Sequence, residues 1–349
     1  MFGATSSREM GETLSTDLPA GTAPSPWRLS KIARRLSIGL VVLAVLAGGV
    51  MGAVRYGVTF WLYRGFPAPK APSTVLVVAP GRARVLRVVP ATTQRILVRT
   101  SALNGWADPV YVVLPPGYTQ RPWVRYPVLY LLHGFPGEPL NFFTAGDLVP
   151  TYEVLVAEQR VQPMILVVPS GSKHFLTDEE WANGVRPHNA WETFVARSLV
   201  ATIDARYRTI TSGRSRAIAG LSEGGYASLN IGFHHPGEFD VLESWSGYMK
   251  ADNIPAIFGR RAELRRYNSP ADQLPAVASP LRANHVFVWF YIGSDDPLLS
   301  QNRHFAAELE RFGISHQFQV LRGRGHSWAL WRSMTTSSLI FASQHFGYG

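Results

Sequence analysis

The sequence predicts an α/β fold built on a doubly wound, mostly parallel sheet, and three observations lead there. Short apolar runs recur along the chain: RILVRTS (Arg95–Ser101), VYVVL (Val110–Leu114), PVLYLL (Pro127–Leu132), MILVV (Met164–Val168), RAIAG (Arg216–Gly220), VFVWFYI (Val286–Ile292) and QFQVL (Gln317–Leu321). Several lack polar alternation, as expected for strands covered by helices on both faces. Amphipathic helical stretches such as Trp191–Tyr207 and Leu299–Phe312 separate them, and strand–helix alternation is the signature of a parallel sheet with crossover helices. At 349 residues and 46% hydrophobic, with no internal repeat, the chain suits one large domain plus a short appendage.

The appendage is N-terminal. Residues 1–27 are polar and rich in Ser, Thr, Gly and Pro, which predicts a disordered tail. Residues 36–54 are uncharged and close to the length that crosses a hydrocarbon core of about 30 Å. Arg28, Lys31, Arg34 and Arg35 crowd the front edge of this stretch and only Arg55 follows it immediately, a bias that places the N-terminus in the cytoplasm. Tyr56, Phe60, Trp61 and Tyr63 resemble an interfacial aromatic belt, and GFPAPKAPST reads as a stiff linker. A cleaved signal peptide, with small residues near Ala47 to Gly49, and a buried core helix are the competing readings of the apolar stretch.

Composition removes several chemistries. The chain has no cysteine, which excludes disulfides, thiolate metal sites and a cysteine nucleophile. No HExxH or comparable ligand spacing occurs, so neither a metal nor another cofactor is expected. The net charge of +10 suits an anionic surface. Scattered basic residues without a helix-turn-helix, finger or RNP-type pattern argue against nucleic acid, leaving membrane headgroups or a plain solvated basic face.

One motif carries chemistry. In RAIAGLSEGGYASLNIGFHHP, Gly220, Ser222, Gly224 and Gly225 lie between an apolar strand and an apolar helix, the context of a G-x-S-x-G nucleophile elbow. The turn is so tight that side chains two residues either side of the serine would collide with strand and helix. Ser222 is therefore the expected nucleophile, at the start of a helix whose free N–H groups favour negative charge. Upstream, YLLHGFPG ends a strand with His133-Gly134, and the following backbone N–H of Phe135, together with that of Glu223, forms the expected oxyanion hole. His133 itself is expected to brace the loop.

An acid and a base follow in the chain order such a site requires. YIGSDDPLL offers Asp295 or Asp296 just past an apolar strand, where an orienting carboxylate belongs, with a helix cap as the competing role. GRGHSW then places His326 in a glycine-flanked loop, free to act as the base. His234, His235, His304 and His345 read as helix-end or surface residues. Trp181 and Trp328 are candidate substrate-lining residues, with ordinary core aromatics as the alternative. The segments 169–191 and 249–284 are expected to shape the pocket.

Taken together, PVYVVLPPGY, YPVLYLLHGFPG, TIDARYRTI, RAIAGLSEGGYASLN, HHPGEFD, SWSGY, GSDDPLL and GHSW resemble the esterase D family of α/β-hydrolases. That family includes feruloyl and enterochelin esterases, S-formylglutathione hydrolases and the antigen 85 mycolyltransferases. The resemblance runs from about residue 93 to 346. It implies the α/β-hydrolase fold, a Ser222–Asp296–His326 triad and Phe135 with Glu223 as oxyanion donors. Two departures stand out: many members have Met where this chain has Glu223, and the antigen 85 members have Asp-Gly in place of His133-Gly134. A carboxylate pointing into the hole would oppose the developing charge, so Glu223 is expected to point away, toward a basic partner.

The expected organisation is a disordered cytoplasmic tail (1–35), a transmembrane helix (36–54), an interfacial segment and linker (55–90) and an α/β-hydrolase catalytic domain (91–349). The expected function is hydrolysis of carboxylic esters through an acyl-enzyme by an extracytoplasmic, single-pass protein, acting on a small-molecule or lipid ester, including those of the cell envelope. Acyl transfer of the mycolyltransferase type and a non-catalytic tethered binding module are the alternatives.

Overall fold

A computed structural model describes residues 37–54, 69–79, 82–173, 177–252 and 254–347. The chain divides into two units, residues 1–57 and 58–349. In the first, Ser37–Val54 is one helix with a mean hydropathy of 2.3 and no buried residues. At 1.5 Å per residue it is about 27 Å long, a length that fits either a membrane span or an N-terminal signal sequence. The tail 1–35, residue 36, and the aromatic cluster Tyr56, Phe60, Trp61 and Tyr63 lie outside the described residues.

The second unit opens with β1 (Thr74–Ala79) and β2 (Arg82–Arg87), an antiparallel pair within the stretch expected as linker. The main sheet follows: β3 (Thr92–Arg99), β4 (Ala107–Leu114), β5 (Val128–Leu132), β6 (Ile165–Pro169), β7 (Arg216–Leu221), β8 (Val241–Trp245), β9 (Phe287–Gly293) and β10 (Ser315–Leu321). Its order is β10-β9-β8-β7-β5-β6-β4-β3. From β10 to β6 all neighbours are parallel, and β4 runs antiparallel to both β6 and β3. This is the mostly parallel sheet that the alternating pattern implies, in the α/β-hydrolase-like arrangement that the family resemblance implies.

The unbroken apolar runs have a simple cause. Successive strand side chains point to opposite faces, and both faces are covered. Val128, Tyr130 and Leu132 of β5 join a core with residues of the helices Glu223–His234, Pro270–Ala283 and Leu299–Arg311, together with Trp191–Arg206. Leu129 and Leu131 join a second core beneath the helices Leu148–Ala157 and Trp328–His345. Residues 191–206 form one helical stretch whose middle, Phe194–Leu199, is π-helical.

Strand β8, VLESW, is fully buried although it carries Glu243 and Ser244. Ser338 Oγ and Trp245 Nε1 donate to Glu243 at 2.5 and 3.1 Å, and burial raises its pKa to about 8. At neutral pH this carboxyl is largely protonated, which spares the core a charge.

Candidate active site

Ser222 occupies the bend between β7 and the helix Glu223–His234, with φ 55° and ψ −116°. Positive φ is unfavourable for a residue with a side chain, so surrounding contacts must enforce it. The Ser222 N–H donates to Trp245 O at 2.8 Å, and its carbonyl accepts from Tyr226 N at 3.0 Å, starting the helix. A Cβ added to Gly224 would lie 2.0 Å from Leu132 O, so only glycine lets the helix approach β5 this closely.

The acid and the base arrive on adjacent loops at the carboxyl ends of β9 and β10. Asp295 N donates to Arg324 O and Ser294 N to Leu321 O, both at 2.9 Å, which ties the two loops together. His326 Nε2 lies 2.8 Å from Ser222 Oγ, and its Nδ1 lies 2.7 Å from Asp296 Oδ2. With the proton on Nδ1, the imidazole donates to Asp296 and presents a lone pair to the serine hydroxyl. Trp331 stands edge-on to the imidazole at 5.1 Å and donates its indole N–H to Ser246 Oγ at 3.3 Å.

The two candidate acids have different surroundings. The Asp296 side chain is fully buried, and its second oxygen accepts from Leu298 N at 3.0 Å, so it both faces His326 and caps the following turn. Asp295 is exposed and accepts from Ser294 Oγ at 2.8 Å. The geometry brings Asp296, not Asp295, to the histidine.

His133 is buried, with Nδ1 2.9 Å from Gly134 O and Nε2 2.6 Å from Ser170 O. Burial pushes its pKa down, against the pull of these two carbonyls. Its contacts are those of a loop brace. Phe135 follows at the open end of β5 and is 40% exposed, while Glu223 begins the helix on the other side of the strand pair.

Trp181 and Trp328 are 1% and 2% exposed, which places both in the core, away from an open pocket wall. Trp328 packs edge-on against Phe142 and Trp331. Trp181 packs edge-on against His133 at 5.1 Å and donates its indole N–H to His133 O at 3.1 Å. Its contact is with the backbone beside the expected oxyanion donor.

Among the described residues, no hydrogen bond or ion pair joins Glu223 to a basic group, and the groups beside it are acidic. The Glu180 N–H donates to Asp178 Oδ1 at 3.2 Å, and Asp178, Glu180 and Glu223 each offer a carboxylate oxygen within 4.8 Å of the other two. Two full charges at that spacing would repel by roughly 3–4 kcal/mol at an effective dielectric of about 20. Burial, and then the neighbouring Asp178, raise the Glu180 pKa to about 9. Burial, then Glu180 and Asp178, push Glu223 well above the carboxylate range. The site answers the electrostatic problem by protonation. An all-carboxylate trio is also a donor set for a hard cation, and the sequence offered no signal for it, since Asp178 and Glu223 are far apart in the chain.

The Esterase family model matches residues 101–342. An esterase of Mycobacterium tuberculosis is 34% identical over 256 residues, covering 65% of this chain and 54% of that protein, so the chain spans about half the length of the curated relatives it matches. A ferulic acid esterase structure aligns with a TM-score of 0.65 and 28% identity over 74% of this chain and all of that one. The structure of Mycobacterium tuberculosis MPT51, at 19% identity, aligns with a TM-score of 0.56 over 72% of this chain and 99% of that one, a likeness of fold. With the family model spanning more than half of its length, the chain belongs to the Esterase family, enzymes of α/β-hydrolase fold that hydrolyse carboxylic esters.

Proposed function

We propose that the chain is a membrane-anchored serine esterase in which Ser222 is the nucleophile, His326 the base and Asp296 the orienting acid. The carrying observation is the unbroken path from Ser222 Oγ through His326 to Asp296, at 2.8 and 2.7 Å. As Oγ attacks the ester carbonyl, His326 Nε2 takes the hydroxyl proton, and Asp296 stabilises the imidazolium. The backbone N–H groups of Phe135 and Glu223 then hold the oxyanion. His326 returns the proton to the leaving alcohol, and water attacks the acyl-enzyme with His326 again as base.

The anchor reading rests on the Ser37–Val54 helix and the basic residues ahead of it. With the net charge of +10 it supports a cell-envelope lipid ester as substrate and an extracytoplasmic catalytic domain. A fluorophosphonate probe followed by a panel of p-nitrophenyl and lipid esters, wild type against Ser222→Ala, tests the chemistry. Labelling and turnover that depend on Ser222 are expected; neither labelling nor release in the wild type contradicts the reading. Protease shaving of intact cells should remove the domain, and full protection would contradict the orientation.

A further inference from the structure

We propose that the β1–β2 hairpin and the cavity beside it dock on an anionic phospholipid bilayer and hold Ser222 at the far edge of the sheet. The inference rests on the membrane-anchor reading above and adds to it a second contact and an orientation.

The hairpin has one uncovered face. In its register Leu76 lies opposite Val85, Val78 opposite Ala83 and Thr74 opposite Arg87, and strand alternation puts these six on one side. Leu76, Val78 and Val85 are 63%, 74% and 70% exposed, whereas Val75, Val77 and Leu86 on the other side are half-buried. Three large aliphatic side chains standing together in water on a two-stranded sheet call for a cover.

Charge says which cover. Arg87 ends the uncovered face and, with Arg121 and Arg160, lines a cavity of about 670 Å³ whose apolar wall includes Val89, Val161 and Phe346. Among the described residues, neither Arg87 nor Arg121 forms an ion pair, and Arg160 meets Glu158 at 3.4 Å. Glu153, a carboxylate on the cavity wall, is buried and accepts from Ala91 N at 2.8 Å. Trp123, two positions past Arg121, is 78% exposed. Guanidinium groups for phosphate, an indole at the surface and an aliphatic face match a headgroup layer. A nucleic acid or an acidic peptide would use the arginines and leave the aliphatic face in water. Arg160 also lines a second hollow with Pro69, Lys70 and Pro72, so the chain enters the domain on this face. Thr74 follows Val54 by 20 positions, a reach of at most about 70 Å.

The orientation follows from the parallel strands. Arg121 and Gln162 precede the amino ends of β5 and β6, whereas Ser222, Asp296 and His326 follow the carboxyl ends of β7, β9 and β10. A five-residue strand spans about 17 Å. The helix Trp328–His345 begins two residues after His326, runs for about 27 Å, and ends at Phe346 on the cavity wall. Docking therefore points Ser222 away from the bilayer, and its ester arrives from the side facing away from the anchoring leaflet.

The chain has no cysteine, so one introduced cysteine carries one label. A nitroxide on Val85→Cys reads the hairpin face. A nitroxide on Leu140→Cys, close in sequence to Phe142, whose ring packs on Trp328, reads the opposite edge. Power-saturation EPR should be recorded on the full chain in phosphatidylcholine–phosphatidylglycerol vesicles. The Val85 label should meet oxygen and be shielded from nickel–EDDA, and the Leu140 label should show the reverse. The double variant Arg87→Gln/Arg121→Gln should lower the ratio of docked to undocked domain by about fivefold per charge, about 25-fold for the pair. Vesicles of phosphatidylcholine alone should also lower it. In detergent the double variant should hydrolyse p-nitrophenyl butyrate at the wild-type rate, which shows that it is folded.

A Val85 label open to nickel–EDDA in the anionic vesicles would overturn the proposal, as would a shielded Leu140 label. Shielding of Val85 that persists unchanged in the double variant would overturn it as well. Dipolar broadening of the Val85 label in detergent would assign the face to a second copy of the chain instead. If alkaline carbonate strips the chain from the vesicles, the anchor reading fails, and the same label on chain added from solution still decides the docking.

Discussion

Two groups of acids, buried or partly so, flank Ser222, and they differ in what they face. On one side Asp296 meets His326 and a backbone N–H, on loops joined at the ends of β9 and β10. On the other, Glu223 meets Glu180 and Asp178, and the cluster is relieved by protons. The same functional group thus serves two purposes according to its partner. Opposite a histidine it orients and stabilises a charge that forms during reaction; opposite its own kind its pKa is raised and the neutral form is favoured.

The comparison can be broken most sharply on the histidine side. Ser222→Ala should lower kcat by about 10⁴-fold or more with the fold intact, checked by steady-state assay alongside circular dichroism. Asp296→Asn should cost about 10⁴-fold, because an amide no longer fixes the imidazole tautomer, whereas Asp295→Asn should remain within about threefold, as substitutions outside such a unit usually do. Equal losses in both Asp variants would dissolve the distinction between the two acids.

Smaller effects probe the scaffold that separates the two sides. Gly224→Ala places a carbon 2.0 Å from Leu132 O and should destabilise the domain by about 1–3 kcal/mol or more in urea unfolding. Glu192 supplies a contrast to the Asp178–Glu180–Glu223 cluster. Burial pushes its pKa up, but His234 and His235 at 3.1 and 2.9 Å outweigh that and hold it at about 2. Its stabilisation is present above the usual value of 4.5 and is lost as pH falls toward about 2. Glu192→Gln should therefore lose roughly 1–3 kcal/mol at pH 7 and show a weaker acid dependence over that window. The sign is opposite for Glu180, whose pKa raised to about 9 makes stability fall as pH rises from about 4.5 to about 9, so urea unfolding of Glu180→Gln and Glu192→Gln across pH compares the two directly.

Much of this was legible in the chain because the relevant signals are local. The elbow glycines, the acid after β9 and the histidine after β10 each lie next to an apolar strand, so sequence order and strand ends locate them. Strand β8 was hidden because Glu243 and Ser244 interrupt its apolar run, and their partners come from Ser338 and from the strand's own Trp245. The β1–β2 pair was masked by the prolines around it. Asp178, Glu180 and Glu223 could not be grouped from sequence, since crossover connections bring them together. The sequence leaves Trp181 open between a substrate-lining and a core role, because a loop position does not say which way the indole turns; it is buried, with its N–H donating to His133 O.

The central claim is that the acyl group passes through Ser222. Rapid-quench intact mass analysis of the wild type with excess p-nitrophenyl butyrate, followed by peptide mapping, tests it directly. The account predicts a burst of p-nitrophenol, one butyryl group on the peptide carrying Ser222, and loss of both in Ser222→Ala. A stoichiometric adduct on any other residue, or full turnover by Ser222→Ala, would contradict it.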